Sequence, residues 1–160
     1  MNLPLSHDPR KESSVRFFLL AMLLVPAALL ISACSDEGRT ESTVKVTLSE
    51  FEVVAEPDSV PAGDVTFNVD NEGEETHELV VVKTDFDAGD LPTENDGSVD
   101  EGADGIDVIG ETDEIDSGDS DSRVFNLDAG KYVLLCNLVD DDHSHFQQGM
   151  WTAFEVTAEE

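Results

Sequence analysis

A cysteine, two histidines and a methionine lie within fifteen residues near the C-terminus: Cys136, His143, His145 and Met150. Sulfur and imidazole donors favour copper over calcium or magnesium, which prefer oxygen ligands. Two histidines and a cysteine in a plane, with a weak axial methionine, suit a copper ion that cycles between Cu(I) and Cu(II). His77, at the head of an apolar segment, would supply the missing histidine. The sequence therefore predicts a copper site built from this loop and His77.

Each of these residues also has an ordinary structural explanation. His77 could be a half-buried strand histidine, and Cys136 an inert core cysteine, because free cysteine is often buried. Met150 could fill the core, as we expect Trp151 and Phe154 to do. The metal-site interpretation rests on the four candidate ligand positions occurring together.

Short alternating segments surround the candidate ligands and predict strands with one buried face. These segments are Thr43–Leu48, Phe51–Ala55, Asp64–Val69, Arg123–Leu127, Lys131–Cys136 and Trp151–Thr157. His77–Lys83 is rich in β-branched apolar residues and predicts a central strand. No segment after residue 33 has a sustained helical period, so we expect little helix. Strands of this length separated by turns predict an all-β sandwich or small barrel. Their spatial order stays open.

The segment from Thr84 to Ser122 differs from the rest of the chain. Its 39 residues include 15 acidic residues, six glycines and no basic residue. We interpret it as a flexible acidic insertion, in which only Ile106–Ile109 and the region near Ile115 dock on the domain. Its Asp-Gly and Glu-Gly turns lack the ligand spacing of a calcium loop.

The charge balance excludes some classes of partner. The chain has 8 basic and 37 acidic residues, a formal net charge of −29. Such a surface repels nucleic acid, so no nucleic-acid partner is expected, and it favours cationic partners. The acidity is consistent with a solvated surface, a saline habitat or docking to a basic face of a redox protein, and the sequence does not separate these explanations.

The N-terminus has the features of an export signal. Basic residues precede an apolar run of 15 residues, Phe17–Ile31, which is shorter than the ~20 residues that span a bilayer. The following Ser32-Ala33-Cys34 resembles a bacterial lipobox. Residues 1–33 are therefore expected to be a lipoprotein signal peptide, with Cys34 lipidated and residues 34–42 as a tether. The resemblance implies anchoring by lipid to the outer face of the cytoplasmic membrane.

A family resemblance extends over the rest of the chain. Its motifs are Val60-Pro61-Ala62-Gly63, Val65-Thr66-Phe67, Asn71-Glu72-Gly73, His77-Glu78-Leu79-Val80-Val81, Gly130 through Asn137, and His145 through Met150-Trp151. Together they resemble the cupredoxins, the small blue copper proteins. The resemblance implies a Greek-key β-sandwich over residues 43–158, with residues 84–122 as an insertion. It also implies copper as cofactor.

Position by position, the resemblance implies His77, Cys136, His145 and Met150 as copper ligands. It also implies that the ring edge of His145 lies near the surface, where an electron would leave. One segment departs from the pattern: Asn137–Ser144 is longer than expected and contains Asp140-Asp141-Asp142 and a spare histidine. His143 is therefore an alternative to His145.

These observations lead to one functional hypothesis and two alternatives. The first is a membrane-anchored one-electron carrier rather than an enzyme, since no nucleophile constellation is present in the sequence. The second is copper storage or delivery without electron transfer, favoured by the longer ligand loop. The third is a metal-free β-sandwich that acts as an interaction module. The redox partner and the potential are not readable from the sequence.

Overall fold

The computed structural model describes residues 40–140 and 143–158. Within them lie eleven strands and no helix: β1 (Glu41–Ser49), β2 (Glu52–Glu56), β3 (Ser59–Pro61), β4 (Gly63–Asn71), β5 (Val80–Lys83), β6 (Asp107–Glu111), β7 (Ser120–Leu127), β8 (Gly130–Leu135), β9 (Val139–Asp140), β10 (His143–Ser144) and β11 (Trp151–Thr157). None of the described residues belongs to a helix that is long and apolar enough to cross a membrane. The predicted signal peptide and the lipidation site Cys34 lie outside these ranges. β1 begins two residues before the predicted domain boundary.

The strands form two main sheets. One has the order β2-β1-β4-β7 and the other the order β3-β11-β8-β5-β6, while β9 and β10 form a separate hairpin. The pairs β1/β4 and β3/β11 are parallel, and the other pairs are antiparallel. The all-β sandwich predicted from the sequence is confirmed.

The main core lies between the two sheets and follows the alternation of the strands. In β4, Val65, Phe67 and Val69 are buried, and the alternate residues are more exposed. The rings of Phe67 and Phe154 meet across the interface with their centroids 5.7 Å apart. Period-two alternation therefore located this face correctly, because successive strand side chains point to opposite sides.

The neighbouring strands β5 and β8 of the five-stranded sheet are buried on both faces. In β5, Val80, Val81 and Val82 are all fully buried, although alternate residues of a strand face opposite sides. The far face of this sheet packs a second apolar cluster consisting of Val80, Val82, Leu91, Val99, Val133, Leu135 and Phe146. Leu91 and Val99 come from the acidic insertion, which therefore covers the outer face of the sheet.

The expectation that only two small pieces of the insertion dock is wrong. Besides β6, which matches the predicted Ile106–Ile109 strand, the insertion includes the first residues of β7 and an isolated bridge between Thr93 and Val99. A second bridge joins Ile115 to His77. Leu91, Val99 and Ile115 of the insertion are buried although the segment is acidic overall, so composition concealed the docking.

Removing a buried insertion side chain is expected to destabilise the whole domain. Leu91→Ala should lower the free energy of unfolding by about 2–5 kcal/mol, because it removes buried methyl groups and leaves a cavity beneath the sheet. Val124→Ala is the matched control, since Val124 is 63% exposed and should change stability by less than about 0.5 kcal/mol. Denaturant unfolding measures both values. Equal effects would show that the insertion contributes nothing to the core.

Candidate metal centre

His77 is held in place just before β5 by backbone pairing. Its N–H donates to the Ile115 carbonyl at 3.1 Å, and the Ile115 N–H donates to the His77 carbonyl at 2.7 Å. Nearby, the Asn71 side-chain amide donates to the same Ile115 carbonyl at 2.8 Å. His77 is fully buried. The insertion therefore serves the site as well as the sheet, because it supplies the strand partner of His77.

The other candidate ligands lie where β8 ends and β11 begins. The N–H of Cys136 donates to the Met150 carbonyl, and the N–H of Met150 donates to the His145 carbonyl, each at 3.1 Å. The His145 N–H donates to the Leu138 carbonyl at 3.0 Å. Gly149 turns the chain at φ +104, a conformation that side chains with a Cβ rarely adopt. These bonds bring the backbones of Cys136, His145 and Met150 together.

Three donor atoms converge inside the protein. His77 Nδ1 lies 3.2 Å from His145 Nδ1, and Cys136 Sγ lies 3.3 Å from the same nitrogen. One donor atom from each of the three residues lies within 4.8 Å of the others, and the three side chains are fully buried. Sequence analysis proposed these three residues, and the fold brings them together from distant parts of the chain.

The separations between these atoms fit a single bound ion. Imidazole nitrogen and thiolate sulfur bind a small transition-metal ion at about 2.0–2.1 and 2.3 Å. Donors about 100–120° apart around such an ion would be separated by roughly 3.1–3.8 Å at those bond lengths. The two measured separations fall within this range. The donor set, two imidazoles and a thiol, is one that transition metals prefer over calcium or magnesium.

The outer nitrogens of both histidines face carboxylates. His77 Nε2 lies 3.1 Å from Glu50 Oε1, and His145 Nε2 lies 3.2 Å from Asp140 Oδ2 and 3.5 Å from Glu75 Oε2. The Glu50 carboxylate at His77 Nε2 favours the tautomer that leaves Nδ1 of His77 free to bind a metal. Burial lowers the pKa of His145, and His77 lowers it further.

Glu50 is itself fixed by the backbone. Its Oε1 accepts hydrogen bonds from the N–H groups of Glu74 and Glu75 at 2.7 and 2.8 Å, and these bonds hold the pKa of the carboxyl below its usual value. Gly73 leaves room for this carboxylate, because a Cβ at that position would overlap it. Glu50 is therefore a rigid anchor for the His77 ring.

Cys136 of the cluster and the neighbouring Glu78 both have raised pKa values. The N–H of Glu78 points at Cys136 Sγ at 3.5 Å, and burial raises the pKa of the Cys136 thiol to about 12. Burial also raises the pKa of the Glu78 carboxyl to about 7, with a further contribution from Glu111. In the metal-free protein the thiol is therefore protonated at neutral pH.

The raised thiol pKa predicts slow chemistry at Cys136 in the metal-free chain. At pH 8 the thiolate fraction should be roughly 10³-fold smaller than for an ordinary cysteine, and the thiolate is the nucleophile. In a chain carrying Cys34→Ser, alkylation should be slower than in the unfolded chain by at least that factor. Mass spectrometry at timed intervals measures the rate. Equal rates in the folded and unfolded chains would contradict the burial of Cys136.

The structure separates the two candidate histidines of the loop. His143 is exposed on β10 and is not part of the three-residue cluster among the described residues. His145 belongs to the cluster. The ring of His145 is covered: its side chain is fully buried, and its outer edge lies directly beneath the half-exposed side chains of Glu75 and Asp140. The ring lies 5.1 Å from that of Phe51, and carboxylates from two other segments face its outer nitrogen.

Sequence reasoning missed the carboxylates that contact the histidines. Asp140 was noted only as part of an acidic run, and Glu50 and Glu75 were not singled out. The chain contains 37 acidic residues, so an individual glutamate carries no signal. Only the fold brings Glu50 to His77, 27 positions along the chain.

The fold of this chain is similar to the folds of several solved structures. Auracyanin B is 19% identical, with a TM-score of 0.51, and the match covers 76% of this chain and 92% of that chain. Rusticyanin from Thiobacillus ferrooxidans is 12% identical, with a TM-score of 0.49 and coverage of 73% and 77%. A multicopper oxidase is 15% identical, with a TM-score of 0.46 and coverage of 77% and 44%. No protein-family model and no curated protein matches the chain. The similarity to auracyanin B identifies the architecture of this chain as the cupredoxin fold.

Proposed function

We propose that the chain is a copper protein that carries one electron at a time. The observation that supports this proposal is the convergence of two imidazole nitrogens and one thiol sulfur at a buried point of a cupredoxin fold. In the proposed centre His77, Cys136 and His145 are the strong ligands. His145 is preferred to His143 because its Nδ1 faces both Cys136 and His77.

Met150 is the proposed axial ligand. Its side chain is fully buried and belongs to the same apolar cluster as Cys136. Its backbone is hydrogen-bonded to that of Cys136 on one side and that of His145 on the other. Its thioether would supply a soft, weak donor beside the two imidazoles and the thiolate.

The surroundings suit a carrier rather than a catalyst. Copper, when bound, supplies a one-electron cycle between Cu(I) and Cu(II). The side chains of His77, Cys136 and His145 are fully buried, so water and substrates are kept away from their donor atoms. Glu50 and the His77–Ile115 bridge hold the His77 ring in place, so the ligands need little rearrangement when the charge changes. We therefore propose that the protein transfers electrons and catalyses no reaction of its own.

An absorption spectrum and a voltammogram test this proposal together. After Cu(II) is added to the chain carrying Cys34→Ser, we expect an intense visible thiolate-to-copper band at one copper per chain. We also expect a reversible one-electron wave. Copper bound without that band would exclude the proposed centre, and an irreversible wave would exclude a carrier role.

The burial of the site argues against the alternative of copper delivery. That alternative needs a centre from which copper leaves readily, whereas His77, Cys136 and His145 are fully buried. A mild chelator should therefore remove copper over hours rather than seconds. Fast removal would favour delivery, and an absence of copper binding would favour the metal-free interaction module.

We also propose that the protein works at a membrane surface outside the cytoplasm. The support is in the sequence: an apolar run followed by Ser32-Ala33-Cys34. Lipidation of Cys34 would anchor the chain to the outer face of the cytoplasmic membrane. Cys34→Ala should move the protein from the membrane fraction to the soluble fraction. Retention of the variant in the membrane would contradict the lipid anchor.

The proposed partner is a redox protein with a basic docking face. We do not expect the chain to bind nucleic acid. The net charge of −29 would steer a cationic partner and speed association at low ionic strength. Electron transfer to a basic test protein should therefore slow as salt is raised. A rate independent of salt would contradict charge-steered docking.

A further inference from the structure

A second group of donor atoms lies on the outer side of His145. Glu75, Asp140 and the Nε2 atom of His145 offer three ligand atoms within 4.8 Å of one another. His145 Nε2 is 3.2 Å from Asp140 Oδ2 and 3.5 Å from Glu75 Oε2. None of these atoms belongs to the first cluster, which uses Nδ1 of His145.

Two of these atoms lack a hydrogen-bond partner. His145 Nε2 and Glu75 Oε2 are both shielded from solvent and without a hydrogen-bond partner, and the whole His145 side chain is fully buried. Asp140 and Glu75 are ion-pair neighbours of Nε2. Because a buried polar atom without a well-formed hydrogen bond is costly, a cation between the nitrogen and the two carboxylates would satisfy these atoms.

We propose that Glu75, Asp140 and His145 Nε2 bind a divalent cation of the zinc type. One imidazole nitrogen and two carboxylate oxygens form a donor set that zinc accepts, and a water molecule would complete four ligands. This site rests on the proposed function, because His145 would bind copper through Nδ1 and the second cation through Nε2. The Nε2 proton is released to solvent as the second cation binds, so that the imidazole becomes a bridging imidazolate.

The site has an entrance and a charge that suit a cation. The side chains of Glu75 and Asp140 are 41% and 55% exposed, so a hydrated ion can reach the carboxylates before it contacts the buried nitrogen. The two carboxylates contribute negative charge on a chain whose net charge is −29. Glu75 is also positioned through its backbone N–H, which donates to Glu50 at 2.8 Å.

The second cation would change the properties of the first centre. Replacing the Nε2 proton by a divalent cation adds one net positive charge near copper, which disfavours Cu(II) relative to Cu(I) because Cu(II) carries the larger positive charge. We therefore expect bound zinc to raise the reduction potential. The carrier would then respond to the concentration of divalent cations around it.

Zinc titration of the copper-loaded full chain carrying Cys34→Ser tests this proposal. Calorimetry with metal analysis should find one zinc bound per chain and one proton released, with the copper retained. The double variant Glu75→Gln/Asp140→Asn should bind that zinc at least ~10-fold more weakly. Glu94→Gln/Asp104→Asn is the matched control, since it removes the same charge from exposed positions of the insertion and should leave zinc binding unchanged.

The outcomes separate this proposal from the proposed function. Absence of the visible copper band would exclude the copper centre, whatever zinc does. If the visible copper band appears but no zinc binds, the second site is overturned. Glu75 and Asp140 are then only neighbours of a protonated His145 Nε2. Zinc binding of equal strength in the double variant and in the control, or zinc that displaces copper, would overturn it as well. A raised potential in the parent chain, absent from the double variant, is the expected result.

Discussion

Replacing Cys136 with serine is expected to eliminate the visible thiolate-to-copper band of the copper-loaded protein. The band requires a sulfur donor, and Cys136 Sγ is the sulfur that lies 3.3 Å from His145 Nδ1. A serine hydroxyl is a harder and weaker ligand for Cu(I), so copper affinity should fall as well. We expect the band to lose at least ~90% of its intensity, because Cys136 is the one thiol of the cluster.

Cys34→Ser is the control for this result, because Cys34 is the other cysteine of the chain. It should leave the band unchanged. The fluorescence of Trp151, the one tryptophan, together with denaturant unfolding, checks that the Cys136→Ser variant still folds. A folded variant that retains an intense band would refute the assignment of Cys136 as the thiolate ligand, and loss of the band in Cys34→Ser would place the copper elsewhere.

Replacing Glu50 with alanine is expected to weaken metal binding without removing any ligand. The variant loses the carboxylate that faces His77 Nε2 at 3.1 Å and that accepts two backbone N–H groups. Loss of such a partner of a metal-bound histidine reduces affinity by about 10–100-fold. Competition with a chelator of known affinity measures this loss. Nitrogen NMR of the metal-free chain should show more of the His77 tautomer that carries its proton on Nδ1.

Glu52→Ala is the matched control for Glu50, because Glu52 is exposed on β2 only two residues away. It should change neither the affinity nor the tautomer. Glu50→Gln should restore part of the affinity, since its amide oxygen can accept the same hydrogen bonds. A Glu50→Ala variant with unchanged affinity and unchanged His77 tautomer would show that Glu50 supports the loop but does not position the ring.

The strands were predictable because their side chains alternate. Trp151–Thr157 was predicted residue for residue, and the predicted Asp64–Val69 lies within β4. His77–Lys83 was less successful: only Val80–Lys83 is a strand, and His77 pairs through one isolated bridge. The short strands β3, β9 and β10 were missed, since two or three residues are too few to show a period.

The insertion was misjudged because average composition hides a few critical residues. Fifteen acidic residues in the segment indicated a flexible segment, yet Leu91, Val99 and Ile115 are buried. The side chains of Leu91 and Val99 cover the far face of the five-stranded sheet. Ile115 packs into the main core, and its backbone pairs with that of His77. Docking depends on a handful of apolar contacts, whereas the charged residues around them face solvent.

Local spacing along the chain was enough to identify the donor types at the centre and the kind of scaffold around it. A cysteine, histidines and a methionine on one loop identify the donors, and alternating strands identify an all-β sandwich. The folded arrangement was needed to show which histidine of the loop joins Cys136 and His77, and that its ring is buried. It alone brought Glu50, Glu75 and Asp140 to the outer nitrogens, because contacts between distant segments depend on strand order and register, which no local pattern specifies.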